Sequence, residues 1–302
     1  MKKTLIALAL AATGVSSGAY AAAPNLNWVT GEINNSNAFT LGGTFYSANE
    51  FNGKWQWAVG TDLGGFNNKL SDVDSTTKKM TITVTKDTPI LLGKTQNAFN
   101  SPFAGGVGSI PQITFKGNGG TSASITPDAS TPGQGTITIP LMQGGSGASS
   151  SAIGQATFNV KYAGVSLDGI STTANGPVTV QSLYSSSATG GIFFGGLPTS
   201  ADKVIGSASN AQALITKFEP TLTQNMLLDQ IKAVLTGLTT PTVSLSTTAA
   251  QENTHHSGSN AVFAAAYALG IGANQHIELT FNTAPTATTE WKAPLTIEVS
   301  YN

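Results

Sequence analysis

No cysteine occurs among the 302 residues. Disulfide staples are therefore excluded, and so are zinc sites built on thiolates. Charge is scarce too. Charged residues make up 10% of the chain, against about 25% in ordinary globular domains. The formal net charge is −1, so no field of one sign draws the chain to nucleic acid or to an acidic membrane. Beyond the N-terminus no apolar run approaches the roughly 20 residues that a membrane-spanning helix needs. Catalytic patterns are missing as well. No G-x-x-x-x-G-K-S/T is present, and the few carboxylates are scattered with no visible acid–base pair. The Gly105–Gly108 and Gly144–Gly147 clusters lack the strand-then-helix context that phosphate binding uses. These absences point away from an enzyme and from any cofactor.

What is present begins with an export address. Lys2 and Lys3 precede an apolar run from Leu5 to Ala12, and small residues then lead to Ala19-Tyr20-Ala21. Charge, apolar and small-residue zones in that order mark a cleaved secretory signal over residues 1–21, with Ala22 as the first mature residue. A second frame, Ala21-Ala22-Ala23, would instead start the mature chain at Pro24.

Without disulfides, stability has to come from packing and strand pairing, and the dominant pattern has period two. Trp55, Trp57 and Val59 alternate with small or polar residues. So do Met80, Ile82 and Val84; Ile113 and Phe115; Ile137, Ile139 and Leu141; Phe158, Val160 and Tyr162; Val178, Val180 and Ser182; and Ile277, Leu279 and Phe281. Asn52-Gly53, Gly64-Gly65, Asn118-Gly119-Gly120 and Asn175-Gly176 supply turn chemistry between them. Many short strands with such turns predict an all-β antiparallel sandwich. Residues 101–155, rich in Gly, Ser and Thr, read as loops with a few edge strands, and the segment Thr239 to Ser259 reads as a second polar loop.

One stretch is helical. Leu214, Ile215 and Phe218, then Leu227, Leu228, Ile231, Val234 and Leu235 follow helical spacing, with Pro220 between and Thr221 or Thr223 as the second cap. The insertion, around 207–236, is expected on one edge of the sandwich, either plugging a core or building a binding surface. His255-His256 reads as a solvated loop pair and His276 as a strand residue near Glu278, because zinc wants three or four ligands. Trp55 and Trp57 read as core residues rather than a sugar platform.

Both ends of the mature chain look like strands with one apolar face. Leu295, Ile297, Val299 and Tyr301 form the cleaner one. Ile33, Asn35, Asn37, Phe39, Leu41, Gly43 and Phe45 form the weaker one, close behind the cleavage site. An extended tail with alternating anchors is what strand addition to another sheet requires. If each copy lends its tail to the next, the contact is heterologous and generates filaments. The alternative is a tail that folds into its own domain.

Several blocks in one order carry a resemblance. They include Lys54-Trp55-Gln56-Trp57-Ala58-Val59-Gly60-Thr61, Pro89-Ile90-Leu91-Leu92-Gly93, Ile110-Pro111-Gln112-Ile113, Tyr162-Ala163-Gly164-Val165, Ala265-Ala266-Tyr267-Ala268-Leu269-Gly270-Ile271 and Trp291-Lys292-Ala293-Pro294-Leu295. With the signal, they make the chain resemble the FaeG/ClpG-type major adhesive subunits of kappa-class, chaperone–usher fimbriae of enterotoxigenic Escherichia coli. The resemblance implies an incomplete immunoglobulin-like β-sandwich, completed by donor-strand exchange. It implies a donor strand within 22–45, with Ile33, Phe39, Leu41, Gly43 and Phe45 on its face, and a pilin/adhesin domain over 46–302. Leu295, Ile297, Val299 and Tyr301 would line the acceptor groove, which a periplasmic chaperone holds first. An outer-membrane usher and identical or related subunits would complete the partners, with a place in the fimbrium on the cell surface. Host galactose-containing glycoconjugates would be the receptor. Tyr184 keeps the aromatic position of the family's sugar site, but no basic residue follows it through Phe194. A minor subunit of the same fimbria is the alternative reading.

Overall fold

The computed structural model describes residues 29–30, 32–33, 45–46, 54–61, 63–101, 108–144, 151–170, 173–186, 191–251 and 261–301. Residues 29–30, 32–33, 45–46 and 100–101 are described through their backbones alone. The signal segment and His255-His256 lie outside the described residues.

Alternation decides the strands. Among the described residues, those of five residues or more are β1 (Trp55–Val59), β2 (Lys79–Thr83), β3 (Thr88–Thr95), β4 (Pro111–Lys116), β5 (Gln134–Gln143), β6 (Ala152–Gly169) and β7 (Pro177–Tyr184). Two helices follow, α1 (Ala208–Phe218) and α2 (Gln224–Val234). The chain then closes with β8 (Ala261–Ile271), β9 (His276–Phe281) and β10 (Thr296–Tyr301). The fold is all-β with two short helices, and the alternating runs between Trp55 and Phe281 fall on strands, with Val84 just past the end of β2.

β6 is the spine, and its 18 residues serve two ladders. Its N-terminal part pairs antiparallel with β5 on one side and β9 on the other, and β2 extends the sheet beyond β9. Its C-terminal part pairs with β7 and β8, and β3 and β1 follow beyond β8. A second, smaller sheet holds β4 against β10. The main core lies between the two sheets and takes the inward side chains of β1 to β6 and β8 to β10, Trp57, Phe115, Ile139, Tyr267 and Ile297 among them.

A second core lies on the far face of the large sheet. There the sequence expectation needs correcting: the helices cover a face of the sandwich, not an edge. α1 and α2 lay Ala211, Leu214, Ile215, Phe218, Leu227 and Ile231 on Val165, Leu167, Val178, Val180 and the alanines of β8. Ser207 caps α1 through the Asn210 N–H at 3.4 Å, and Thr223 caps α2 through the Met226 N–H at 3.1 Å.

β8 is the strand that period two does not reveal. Every residue of it is buried. Phe263, Tyr267, Leu269 and Ile271 point into the main core, and Val262, Ala264, Ala266 and Ala268 point at the helices. With both faces covered, no polar residue marks the alternation; side-chain size marks it instead. The polar stretch 239–251 also departs from a plain loop. Thr242–Leu245 and Ala250–Gln251 pair parallel to β7.

Candidate interface at the last strand

β10 reads Thr-Ile-Glu-Val-Ser-Tyr, β-branched at three of six positions, a composition suited to a half-buried pleat. Its apolar phase faces the main core. Leu295, just ahead of it, is 1% exposed, Ile297 4% and Val299 1%. Burying each such side chain is worth about 1.5–3 kcal/mol relative to leaving it in water. Tyr301 packs half-buried against the same core, and its hydroxyl accepts a hydrogen bond from the Trp57 indole N–H at 2.9 Å. The four residues read from the sequence as a wall thus share one face.

The two edges of β10 differ. On one side β4 pairs with it along its whole length, from Thr296 opposite Lys116 to Tyr301 opposite Pro111. On the outer face of that pair the Lys116 ammonium meets the Glu298 carboxylate at 2.6 Å. Both groups are partly exposed, so the contact adds about 0–1 kcal/mol. On the other side the partner is the N-terminal segment of the same chain, and it pairs at Val299 opposite Ile33. That segment, Glu32–Ile33, then takes Phe45–Tyr46 as its own antiparallel neighbour. Just ahead of it, Val29–Thr30 pairs with β1 in the other sheet. Of the tail anchors, Ile33 and Phe45 are strand-paired, while Phe39, Leu41 and Gly43 fall outside the described residues.

An open cleft of about 730 Å³ begins where β10 begins. Trp291 and Ala293 form one wall, Leu63 and Phe66 the other, and the core residues Ile90, Phe158, Ile271 and Ile277 form the floor. The rings of Phe66 and Trp291 lie parallel, with centroids 6.2 Å apart. No alternation marks this cleft in the sequence, because loops from two distant segments build it.

An aromatic cluster supports the wall from behind. Trp55 and Trp57 are fully buried and stacked 5.9 Å apart, as core residues. Their N–H groups reach the Ser109 carbonyl, at 3.0 Å, and Tyr301. Phe193 sits edge-on to both indoles, 5.4 and 6.2 Å away, and 5.0 Å from the Tyr267 ring. Gly93 lies under Trp57, where a Cβ would come 2.4 Å from the indole. Sequence reasoning missed Phe193, which sits in a tight turn (Phe193 φ 56°) rather than a strand.

The other sequence candidates are scattered. Tyr184 ends β7, half-buried against the main core and opposite Gln251. The next residue, Ser185, donates its backbone N–H to the Pro198 carbonyl. His276 meets the Thr83 hydroxyl at 3.2 Å, and Glu278 pairs with Lys79 at 2.9 Å. Among the described residues no three potential metal ligands come together.

Comparison with known proteins gives one consistent answer. A family model described as "Fimbrial, major and minor subunit" matches residues 1–302. The chain is similar to K88 fimbrial protein AC of Escherichia coli, 40% identical over the full length of both, and to K88 fimbrial protein AB of the same organism, 38% identical over the full length of both. It is also similar to the F41 fimbrial protein of Escherichia coli, 30% identical over 48% of this chain and 53% of that one.

Proposed function

Because this chain belongs to the family of major and minor fimbrial subunits, we propose that it builds a fimbrial shaft by donor-strand exchange and attaches that shaft to host glycans. It is a structural subunit of a surface fimbrium, not an enzyme, and it assembles with related subunits. In the proposed route residues 1–21 direct export and are removed. A periplasmic chaperone then holds the wall of Leu295, Ile297, Val299 and Tyr301. At an outer-membrane usher, residues 22–45 of the next copy replace the chaperone, and Ile33, Phe39, Leu41, Gly43 and Phe45 form the donor face. Residues 46–302 form the accepting domain.

The observation that carries this reading is the asymmetry of β10. Its apolar face is core, and one edge carries a complete ladder, yet the other edge meets its own chain at Ile33. A strand whose second neighbour is an N-terminal tail can take the same kind of tail from another copy, and a contact that passes from copy to copy without closing makes a fibre. The test is Ile297→Asp or Val299→Asp. A carboxylate pressed into this wall has no partner, and burying an unpaired charge is highly unfavourable. Chaperone capture and fibre formation should both fail; wild-type fibre yield from either variant overturns the reading.

The adhesive part is tested separately. Sheared fibres on a glycan array should retain galactose-containing glycans, and Tyr184→Ala should weaken that retention while leaving fibre length unchanged. Retention that the substitution leaves untouched would remove Tyr184 from the site. The family covers major and minor subunits alike, so subunit stoichiometry in sheared fibres decides between shaft and minor component.

A further inference from the structure

Charge is scarce in this chain, so the place where it stands uncompensated is informative. The chain has no arginine; its cations are lysines. Among the described residues Lys79, Lys116, Lys203 and Lys232 are ion-paired. Lys161 and Lys217 belong to none of those pairs, and both line one cleft of about 290 Å³ between α1 and the start of β5. No described carboxylate lines it. Local structure puts the two lysines there. Asn210, Ala213 and Lys217 follow helical spacing along one face of α1. Lys161 stands opposite Gln134 in the β5–β6 ladder, so the two side chains leave the same face of the sheet. It is the face that the helices cover, since Ala163 and Val165 follow Lys161 in phase. The Lys161 stem lies across Gly272, where a Cβ would come 3.0 Å from the ammonium. Gly133 shapes the wall: its φ is 76°, and a Cβ there would come 2.5 Å from Ile205. Ile205 and Leu214 make one side of the cleft apolar. Two carboxylates on neighbouring loops are engaged elsewhere. Asp128 accepts the Ser130 and Thr131 N–H groups at 2.8 and 2.7 Å, and Asp87 accepts the Ala273 N–H at 2.9 Å.

We propose that this cleft holds one acidic sugar residue of a glycan, a ring that carries a carboxylate or a sulfate. The proposal rests on the adhesive reading and gives it a contact separate from Tyr184, which is not among the walls. Two ammonium groups without a counter-charge attract an anion, and a carboxylate or sulfate takes charge-assisted hydrogen bonds from them. Gln134 accepts the Gln275 amide on its side-chain oxygen at 3.4 Å, which leaves its NH2 to donate to a ring hydroxyl. Ile205 and Leu214 suit the carbon face of the ring or an acyl methyl. Ligand clefts run from about 300 to 1,000 Å³, so a cleft of this size suits a single ring rather than a chain of them. A long polyanion would need a broad basic surface, and a net charge of −1 gives none.

The test offers sheared fibres immobilised lactose, sialyl-lactose and sulfated lactose. At least one acidic form should be held more tightly than lactose, less so as salt rises, and the better of the two identifies the anion that the lysines take. Lys161→Gln and Lys217→Gln should each weaken that binding roughly tenfold, the scale of one hydrogen bond to a charged group, and leave lactose binding unchanged. Lys69→Gln with Lys86→Gln removes charge from exposed lysines elsewhere and should leave the preference intact. Ala213→Phe fills the cleft with no change of charge and should abolish the preference. Fibre length in electron micrographs, equal to wild type, shows that each variant folds and assembles. Equal binding of lactose and its acidic forms overturns the proposal and leaves attachment to galactose standing. So does a preference that survives both cleft lysine substitutions, or one that the Lys69/Lys86 variant loses to the same extent. Fibres that hold none of the three sugars remove glycan attachment and this site together.

Discussion

Phe193 combines full burial with a left-handed backbone, a conformation that bulky side chains rarely adopt. The turn is held by its neighbours. The Phe193 N–H donates to the Pro111 carbonyl at 2.9 Å, and the Phe193 carbonyl accepts from Gly196 and Leu197 at 2.8 and 2.9 Å. The ring holds two indoles and Tyr267 in place behind the β10 wall. Phe193→Ala should destabilise the subunit by about 3–5 kcal/mol, as for other buried aromatic truncations, read as a lower denaturant midpoint. Two tyrosines set the alkaline limit. Burial, with a smaller push from Tyr162, raises the Tyr267 pKa well above its ordinary value, and its hydroxyl donates to the Gly196 carbonyl at 2.9 Å. Burial, with a smaller push from Asp128, raises Tyr162 too, whose hydroxyl bridges the Gln134 and Lys203 carbonyls. A raised tyrosine pKa means the folded state keeps its proton when the unfolded state loses it. The stabilisation is therefore complete below about pH 10, the free tyrosine value, and is lost as pH rises beyond it. Denaturation midpoints measured across alkaline pH should fall above that point, and less steeply in Tyr267→Phe.

At the scale of elements, the helices and β8 fit each other through side-chain size. Ala264, Ala266 and Ala268 are fully buried beneath the helices, and small side chains there let α1 and α2 sit close to the sheet. Ala266→Leu adds volume where none is free, and overpacking of this kind costs about 1–3 kcal/mol. A loss of that size in chemical denaturation, with fibre assembly retained, is the expected outcome, because the change lies on the opposite face of the sheet from β10. Thr223→Ala removes the side-chain acceptor at the start of α2 and should cost about 0.5–2 kcal/mol. The helical spacing at 214–235 identified both helices, and the cap choice was open only between Thr221 and Thr223. Their place on a face was not legible. Spacing tells which side of a helix is apolar but not which apolar surface receives it. β8 escaped period two for a related reason, since a strand covered on both sides has no polar phase to show.

For the whole molecule the prediction is a separation of folding from assembly. If the proposed route holds, a chain lacking residues 22–45 should keep the large sheet, both helices and β4 paired with β10, and should still fold when a chaperone takes the edge that the tail leaves. Fibres should be absent, as read by electron microscopy of the cell surface, while chaperone-bound monomer accumulates; normal fibres would remove the tail from assembly. The sequence alone determined the strand-rich class, the helical insertion and the apolar face of the last strand, because each rests on residues close together in the chain and on a period of 2 or 3.6. Only the tertiary structure decided which segments meet the two edges of that strand. It also decided where the helices lie, how Trp57 reaches Tyr301 and that loops 63–68 and 288–293 enclose a cleft. Those are contacts between residues far apart in the chain, and local periodicity carries no information about which of two apolar faces will meet.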